Sequence, residues 1–450
     1  MRNASRPVNR LPPEIISHIA QHIVQPSGDT ASVIPLTHVC QYWRKSIIST
    51  PANWTSIIYS RPNLTALNLE RSKAAPLQLK LRMSCVSRMP GFHNLIMPYI
   101  QNVETLLFDE LTTIEDLTQT LPNFPQSTPG LRSLELRHWS GKHEWDQSTD
   151  PFGSFPSTLR SLSLSNIPLY PSFLGLRNLT ELTLYFYTVC PPLDLLGFLG
   201  DNRSLQNVNL VILPPAQISQ RRIPTMDHLQ SLSITSCEVA LVRTLISSIP
   251  LRGGAHLGIT FHDDGTGLGV KDILSGISLT HLSNLSSPTF MEYRSSSVVR
   301  LTGPNGSFSY DHESMWSSEV PFTEFSVLSL ANIRQLRLTH NDPSVVFHPS
   351  SFPALETLII ESNPDISHLF SALFPNSSSF PSLNTLGFLD CDVTDEFMEE
   401  LTRFASDRKD TTSVRLHCVV IADQDRYFPS ADSIRELERH VPVVDVRFEG

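Results

Sequence analysis

A hydrophobic pattern of the form L-x-x-L-x-L recurs along most of the chain. Its copies begin at positions 103, 131, 159, 179, 205 and 229, and again at 333, 355 and 383, so that neighbours in each series are 20 to 28 residues apart. Alternate side chains of a β-strand point to opposite faces, so each copy predicts a short strand whose leucines share one face. Such a period predicts units that bury these leucines by stacking on their neighbours.

The pattern and its period resemble those of leucine-rich repeats. Several copies are followed three residues later by asparagine or cysteine, as at Asn363 and Cys391. The resemblance implies an α/β fold, a curved one-dimensional array (a solenoid) over residues 77–450 with its first strand at Leu77–Met83. Each buried leucine contributes roughly 1.5–3 kcal/mol. We expect burial of Leu134, Leu162, Leu182, Leu358 and Leu386. The alternative is a leucine-rich fold with accidental spacing.

The segment Leu386–Ala405 resembles the cysteine-containing class of these repeats. Its strand is followed by Cys391 and then by Thr394, which can cap a helix carrying Phe397, Met398 and Leu401. We therefore interpret Cys391 as a buried core residue rather than a nucleophile.

The pattern is irregular over residues 238–332. A strand is predicted at Leu257–Phe261, and a hairpin is predicted from Val298–Leu301 and Phe308–Tyr310 around the turn sequence Gly-Pro-Asn-Gly. The sequence leaves open whether this region holds degenerate repeats or an insertion. Further strands and a short helix near the C-terminus predict a cap for the array.

The N-terminal pattern is helical instead. After Pro12 and Pro13, which suit the first turn of a helix, apolar residues recur from Ile15 to Val24 at helical spacing. A second stretch places Leu36, Val39, Cys40, Trp43 and Ile47 on one face, and Pro35 is predicted to divide it into a short helix and a longer one. Helices totalling under ~50 residues need another surface to cover their apolar faces.

These N-terminal residues closely resemble the F-box, in its fungal form with a polar insertion after the first helix. The resemblance is carried by Leu-Pro-Pro-Glu-Ile from Leu11, by Val-Cys-x-x-Trp-Arg from Val39, and by Ser-Thr-Pro-x-x-Trp ending at Trp54. It covers residues 11–58 and implies docking onto the Skp adaptor subunit of a cullin–RING ubiquitin ligase. By motif position, the docking surface or its immediate support is formed by Leu11, Pro12, Glu14, Ile15, Ile19, Val39, Trp43 and Trp54. The alternative is that these helices only cap the array.

The predicted organisation is therefore a disordered stretch at 1–10, the F-box-like module at 11–58, a helical linker at 59–76 and the array at 77–450. With 34 basic and 44 acidic residues, the chain carries a formal net charge of −10, which argues against a nucleic-acid partner. No apolar run has the ~18 residues of a membrane span, and no signal peptide is expected. Six scattered cysteines predict a reducing cytoplasmic or nuclear location.

Catalytic motifs are absent from the sequence, so we expect no enzyme activity, metal or cofactor. The glycine-rich Phe261–Leu274 has the strand–turn–helix context of a phosphate loop but lacks the glycine spacing, and a polar turn is the better interpretation. His262 with Asp263 and Asp264 has no partner ligands for a metal.

The expected function is substrate recognition in an SCF-type ubiquitin ligase, and the alternative is a repeat scaffold independent of any ligase. Target binding is expected on the outward-facing positions between the inward leucines, where polar and aromatic groups alternate. These positions include Glu135, Arg137, Tyr185, Arg337, Thr339 and Glu361. The alternative target site is the loop that carries His138, Trp139, His143 and Trp145.

Overall fold

The computed structural model is a mixed α/β structure in two compact units, Met1–Gln217 and Ile218–Gly450. It describes residues 11–27, 30–59, 61–83, 91–111, 126, 128–138, 150, 152, 154–187, 194–213, 223–263, 270–274, 287–294, 298–314, 330–339, 349–363, 366–376, 378–411, 414–423 and 429–448. The N-terminal ten residues, the phosphate-loop glycines, and Trp139, His143 and Trp145 lie outside these ranges.

The first unit begins with short helices and continues as a parallel sheet. Its α-helices are α1 Pro13–Ser27, α2 Gln41–Ser49, α3 Pro62–Ser72, α4 Phe92–Ile96, α5 Pro171–Leu174 and α6 Leu195–Asp201. Its 3-10 helices are Thr30–His38, Pro51–Trp54 and Met97–Asn102. Its strands are β1 Ser56–Tyr59, β2 Leu77–Arg82, β3 Val103–Leu111, β4 Ser133–His138, β5 Ser161–Ser165, β6 Glu181–Phe186 and β7 Asn207–Ile212.

These strands pair in chain order from β1 to β7, all parallel. The leucines of successive copies lie side by side: Leu134 is opposite Leu162, and Leu162 is opposite Leu182. All three are buried, as the pattern predicts. The sheet begins one strand earlier than predicted, because β1 pairs with β2 although Ser56–Tyr59 carries no leucine pattern. Strand β1 covers the last three residues predicted for the N-terminal module and the first of the predicted linker at 59–76, and the linker contains the helix α3.

The second unit has a different strand order. Its strands are β8 Ser231–Ser236, β9 His256–Asp263, β10 Phe290–Arg294, β11 Val298–Gly303, β12 Gly306–Ser314, β13 Gln335–Thr339, β14 Thr357–Glu361, β15 Thr385–Leu389, β16 Cys418–Asp423 and β17 Val443–Phe448. Its α-helices are α7 Val239–Ser248, α8 Val270–Leu274, α9 Ile366–Leu373, α10 Asp395–Thr411 and α11 Ala431–Glu438, with 3-10 helices at Leu330–Asn332 and Pro349–Ser351.

An antiparallel meander interrupts the parallel pairing of this unit. The hairpin β11–β12 was predicted, and Gly303 pairs with Gly306 across its turn. Strand β12 then pairs with β9, and β10 pairs with β13, so the order is β8-β9-β12-β11-β10-β13 and onward to β17. Within the irregular region 238–332, β9 continues the parallel run from β8, and β10, β11 and β12 are three strands inserted before the next parallel run.

Three positive-φ residues mark the turn that follows a strand. Asn166, Ser362 and Asp390 come directly after β5, β14 and β15, and each has a φ between 52° and 53°. Each donates its backbone N–H to a carbonyl of the next strand, such as Asp390 to Ala422 at 2.8 Å. The left-handed conformation costs energy in a residue other than glycine. Because it occurs three times with the same hydrogen bond, the same turn is repeated along the array of strands.

The cysteine-containing segment has the predicted structure. Phe397 N–H donates to Thr394 Oγ1 at 3.2 Å at the start of α10, and Phe397, Met398 and Leu401 are buried. Near the end of the same helix lies the fully buried Arg408. Its guanidinium donates to the carbonyls of Ser379, Phe380, Pro381 and Leu383 at 2.8–3.3 Å. It thus supplies hydrogen-bond donors to the backbone of the segment that leads into β15.

Candidate protein-interaction surfaces

The N-terminal helical module, residues 11–54, has its own small core. The core consists of Ile16, Ala20, Val33, Trp43, Ile47 and Trp54, all buried. Polar side chains tie its segments together: Ser17 Oγ donates to Asn53 Oδ1 at 3.0 Å, and Asn53 Nδ2 donates to Ile47 O at 3.2 Å. The predicted short and longer helices are present as the 3-10 helix Thr30–His38 and α2, but Pro35 lies inside the first of them, and the break comes at Val39 and Cys40. The module therefore holds a defined shape with few residues.

Trp54 links this core to the helix α3. Its Nε1 donates to Ile47 O at 3.1 Å, and the Arg71 guanidinium of α3 lies 4.4 Å from the ring centre. Burial lowers the pKa of Arg71. A cation held over an aromatic face in this way adds attraction beyond apolar burial.

The same module leaves large apolar side chains exposed. Ile15, Ile23, Val39 and Tyr42 keep 38–47% of their surface in solvent. Among the described residues, only two further large apolar side chains, Tyr187 and Val443, are as exposed. The Tyr42 hydroxyl donates to Leu11 O at 2.9 Å, which places its ring beside the start of α1. We call Ile15, Ile23, Val39 and Tyr42 the exposed apolar group.

The residues assigned by motif position fall into three classes. Pro12, Glu14, Ile15 and Val39 are exposed; Leu11 and Ile19 are half-buried against the core; Trp43 and Trp54 are buried. The two tryptophans can therefore only support a docking surface and cannot contact a partner directly. The sequence analysis missed Ile23 and Tyr42, whose exposure depends on how the two helices pack.

In the first unit, the predicted polar positions lie in register on adjacent strands. Glu135 of β4 is opposite Ser163, which is opposite Thr183 of β6, and Thr183 is opposite Asn209. All four side chains are half-buried. They form one row on the sheet face opposite the leucine rows, which we call the polar face.

Aromatic and basic groups gather at one end of this row. The rings of Tyr185 and Tyr187 stack with centres 6.0 Å apart, and Asn209 Nδ2 donates to the Tyr185 hydroxyl at 3.3 Å. Burial raises the pKa of Tyr187, Tyr185 adds to the rise, and the nearby charge of Arg137 opposes it. Arg137 also pairs with Glu135 at 2.6 Å. Tyrosine and arginine are the residue types that most often dominate binding energy at protein interfaces.

The polar face of the second unit carries a larger charged cluster on strands β10, β11, β13 and β14. Arg294 and Arg300 approach the carboxylate of Glu292 at 2.8 and 3.5 Å. Arg337 donates two hydrogen bonds to Glu361, at 2.9 and 2.6 Å. Since Glu292 is opposite Arg337 in the strand register, the two groups form one cluster of alternating charge.

Hydrogen bonding between Arg337 and Glu361 stabilises the charged form of both side chains. The hydrogen bond from Arg337 is the main reason that the pKa of Glu361 is lowered, and the bond to Glu361 raises the pKa of Arg337. Thr339 Oγ1 donates to Glu361 at 2.9 Å. Thr339 keeps only 9% of its surface exposed and orients the Glu361 carboxylate, and direct contact with a target stays a prediction.

The sequence analysis missed Glu292, Arg294 and Arg300. They lie in the inserted meander, where no leucine pattern marks which residues point outward. Their neighbour across the sheet, Arg337, lies on β13, and the β10–β13 pairing cannot be inferred from local sequence. The alternation of Glu292, Tyr293 and Arg294 was the available signal for a strand.

The described residues include one histidine between two hydroxyls, since the ring nitrogens of His256 lie 2.8 Å from Ser307 Oγ and 3.3 Å from Ser309 Oγ. Burial raises the pKa of the Cys391 thiol to about 11, as expected for a core residue rather than a nucleophile. In the ranges that the structure describes, no group of three His, Cys, Asp or Glu side chains could hold a metal ion. A cavity of about 250 Å³ lies between α10 and α11, lined by Met398, Glu399, Thr402, Arg403, Ser433 and Glu436.

Comparisons with known proteins leave the family open. No protein-family model matches the chain. No curated protein matches it. Among solved structures, a structural-genomics crystal structure of a protein from Bacteroides fragilis aligns over 81% of this chain and 68% of its own, at 11% identity and a TM-score of 0.19. None of the helices described is long and apolar enough to cross a membrane.

Proposed function

We propose that this protein is the substrate-recognition adaptor of an SCF-type cullin–RING ubiquitin ligase. In this proposal the N-terminal module is an F-box that docks onto the Skp adaptor subunit. The two strand-rich units are a leucine-rich-repeat array whose polar face binds a protein target. The protein performs no chemistry: it brings a target close to the ligase machinery, and the gain is one of effective concentration.

The exposed apolar group is the observation that carries the docking half of the proposal. A module of this size gains little by holding Ile15, Ile23, Val39 and Tyr42 in water, since each square ångström of apolar surface that is buried is worth about 25 cal/mol. Outside the module, Tyr187 and Val443 are the large apolar side chains with comparable exposure over the described ranges. Concentrated exposure of this kind is typical of a protein-interaction site.

The buried core supports this surface. Trp43 and Trp54 fix α2 and the following turn, and Ile16 and Ala20 fix α1. Since these side chains lock the positions of the exposed ones, little conformational entropy is lost when a partner binds. This division between support and contact fits the residues that the F-box resemblance singles out.

The target half of the proposal rests on the two polar-face clusters. The Tyr185–Tyr187–Arg137 group offers stacked aromatic rings beside a cation, and the Arg294–Arg300–Arg337 group offers guanidinium donors beside carboxylates. All of these residues but Tyr187 lie on strands, so their geometry is held by backbone pairing, and Tyr187 N–H donates to Asn166 Oδ1 at 2.8 Å. Specific interfaces combine these residue types.

Docking is tested by calorimetric titration of the purified Skp subunit into the full chain. Ile15→Asp and Val39→Asp are each expected to weaken binding more than tenfold, because a charge enters an apolar interface. Tyr187→Asp is the matched control: it places the same charge at a comparably exposed apolar position outside the module. Absence of binding by the wild-type chain, or equal binding by all variants, contradicts the proposal.

Target binding is tested by proximity labelling of the wild-type chain and of two variants with native thermal unfolding. Tyr185→Ala/Arg337→Ala is expected to lose labelled proteins that Trp139→Ala/Trp145→Ala retains. Loss with the tryptophan pair alone places the target on the loop instead. If the targets persist while the Skp subunit never binds, the protein is a repeat scaffold without a ligase.

A further inference from the structure

Strand β17 forms one edge of the sheet over the residues that the structure describes. Over the described residues it pairs with β16, in parallel, from Val443 opposite Cys418 to Phe448 opposite Asp423. An edge of six residues presents unpaired backbone groups to solvent, and such edges are templates for further strand pairing.

The apolar row at this edge is incompletely covered. Val444 and Val446 are opposite Val419 and Ile421 of β16, which are buried. Val444 and Val446 themselves remain half-exposed, and Val443 is exposed on the other face. The hydrophobic rows that stabilise the rest of the unit therefore reach β17 and end there in partial contact with water.

The direction of the free backbone groups follows from one hydrogen bond. Val443 N–H donates to His417 O at 3.1 Å, so Val443 faces β16. Successive residues of a strand direct their N–H and C=O groups to opposite sides, so Asp445 and Arg447 also face β16. The backbone groups of Val444, Val446 and Phe448 face away from the sheet.

This direction limits how two copies of β17 can pair about a two-fold axis. In an antiparallel pair centred on Val446, the outward groups of Val446 bond to those of the partner's Val446, and Val444 bonds to the partner's Phe448. Asp445 then lies opposite the partner's Arg447, and Arg447 opposite the partner's Asp445. Opposite charges at such directly facing positions stabilise a strand pair.

Other two-fold registers are less favourable. A pair centred on Asp445 or on Arg447 sets like charges against each other. A pair centred on Val444 sets Pro442, which has no N–H, where a bonding donor is needed. Among the two-fold registers centred on residues 444 to 447, the one centred on Val446 is therefore complementary in both hydrogen bonding and charge.

We infer that β17 is a homodimerisation edge, at which two copies of this chain join their sheets by antiparallel pairing centred on Val446. The side chains that set the register, Asp445 and Arg447, are solvent-accessible and already pair with each other along the strand at 2.5 Å. In the dimer each charge gains an opposite charge across the two-fold axis. The proposal concerns the C-terminal edge and is independent of the function of the N-terminal module.

The test is the oligomeric state of the full chain, measured by sedimentation equilibrium over a range of protein concentrations. The wild type is expected to show a reversible monomer–dimer equilibrium. Asp445→Arg and Arg447→Asp each set like charges against each other and are expected to raise the dissociation constant at least about tenfold. The exchange of both charges, Asp445→Arg/Arg447→Asp, restores opposite pairs and is expected to restore the dimer.

Val446→Pro provides a second arm. It removes the central outward N–H, and leaves the Val443 bond to β16 in place, so dimerisation is expected to disappear while thermal unfolding shows a folded chain. The inference is overturned if the wild type stays monomeric at hundreds of micromolar. It is equally overturned if a dimer forms that neither single charge reversal nor Val446→Pro weakens.

Discussion

The N-terminal module and the strand-rich units differ in which side chains they expose to solvent. The module buries a core of six residues yet leaves Ile15, Ile23, Val39 and Tyr42 in solvent. The strands bury their leucine rows and expose polar groups that are already paired, such as Arg337 with Glu361. A partner of the module gains free energy simply by covering it. A partner of the sheet must compete with ion pairs that exist before it arrives.

This difference teaches where affinity and specificity can arise. Covering an apolar group gives affinity with little directional demand. Replacing an existing ion pair is favourable only for a partner whose own groups match its geometry, so the polar face is suited to discrimination between targets. The following predictions test whether the module and the sheet differ in this way, from the largest expected effect to the smallest.

The largest effect is expected at Arg408, where the second unit depends on a buried charge. Arg408→Met keeps the apolar stem but leaves buried carbonyls between Ser379 and Leu383 without their donor, which is expected to cost about 3–5 kcal/mol. Chemical denaturation measures it. Arg403→Met, at an exposed position of the same helix, is the control and is expected to change stability by under about 0.5 kcal/mol. Equal effects of the two changes would mean that the carbonyls find other donors.

The second prediction separates the core of the module from its exposed apolar group. Ile16→Ala removes a fully buried side chain and is expected to destabilise the chain by about 2–4 kcal/mol. Ile15→Ala, one residue earlier, is expected to cost under about 0.5 kcal/mol, since Ile15 keeps 44% of its surface in solvent. Thermal unfolding of both variants compares them directly. A large cost for Ile15→Ala would show that this side chain packs within the chain and is not available to a partner.

The third prediction compares the two tryptophans of the module. The Trp43 indole is buried, and its Nε1 has no hydrogen-bond partner over the described residues, whereas Trp54 Nε1 donates to Ile47 O and its ring holds Arg71. Trp54→Phe is therefore expected to cost about 1–2 kcal/mol more than Trp43→Phe. Denaturant titration of the two variants measures the difference. Equal losses would mean that ring volume alone determines the contribution of both residues.

The leucine rows could be predicted from the sequence because their signal is local and repeated. Leu134, Leu162, Leu182, Leu358 and Leu386 are all buried as expected. The Thr394 cap and the burial of Cys391 were predicted for the same reason, since each follows from residues close together in the chain.

Features that depend on distant pairing could not be predicted. Strand β1 has no leucines, and only its pairing with β2 makes it part of the sheet. The cluster around Glu292 requires β10 to lie beside β13, a choice of topology that helical or strand periodicity does not encode. In the module, periodicity gave one wide apolar stripe on α1. Only packing against α2 decides that Ile16 is buried while Ile15 and Ile23 remain exposed.

The smallest expected effect concerns the ion pair on the polar face, and it is a pH dependence. Hydrogen bonding from Arg337 holds the pKa of Glu361 below its ordinary value of 4.5 in the folded chain. The pair therefore stabilises the fold at pH values above 4.5, and that contribution is lost as the pH falls through the lowered pKa.

Because the pair is partly exposed, Glu361→Gln is expected to cost under about 1 kcal/mol at neutral pH. The difference between wild type and variant should then shrink as the pH falls below 4.5, as measured by denaturant titrations from pH 7 into acid. Glu356→Gln, which breaks a more exposed pair with Arg334 at 3.4 Å, is the control and is expected to have a smaller effect at neutral pH. A Glu361→Gln effect that persists unchanged in acid would show that the hydrogen bond from Thr339 and local packing, rather than the charge pair, stabilise this part of the sheet.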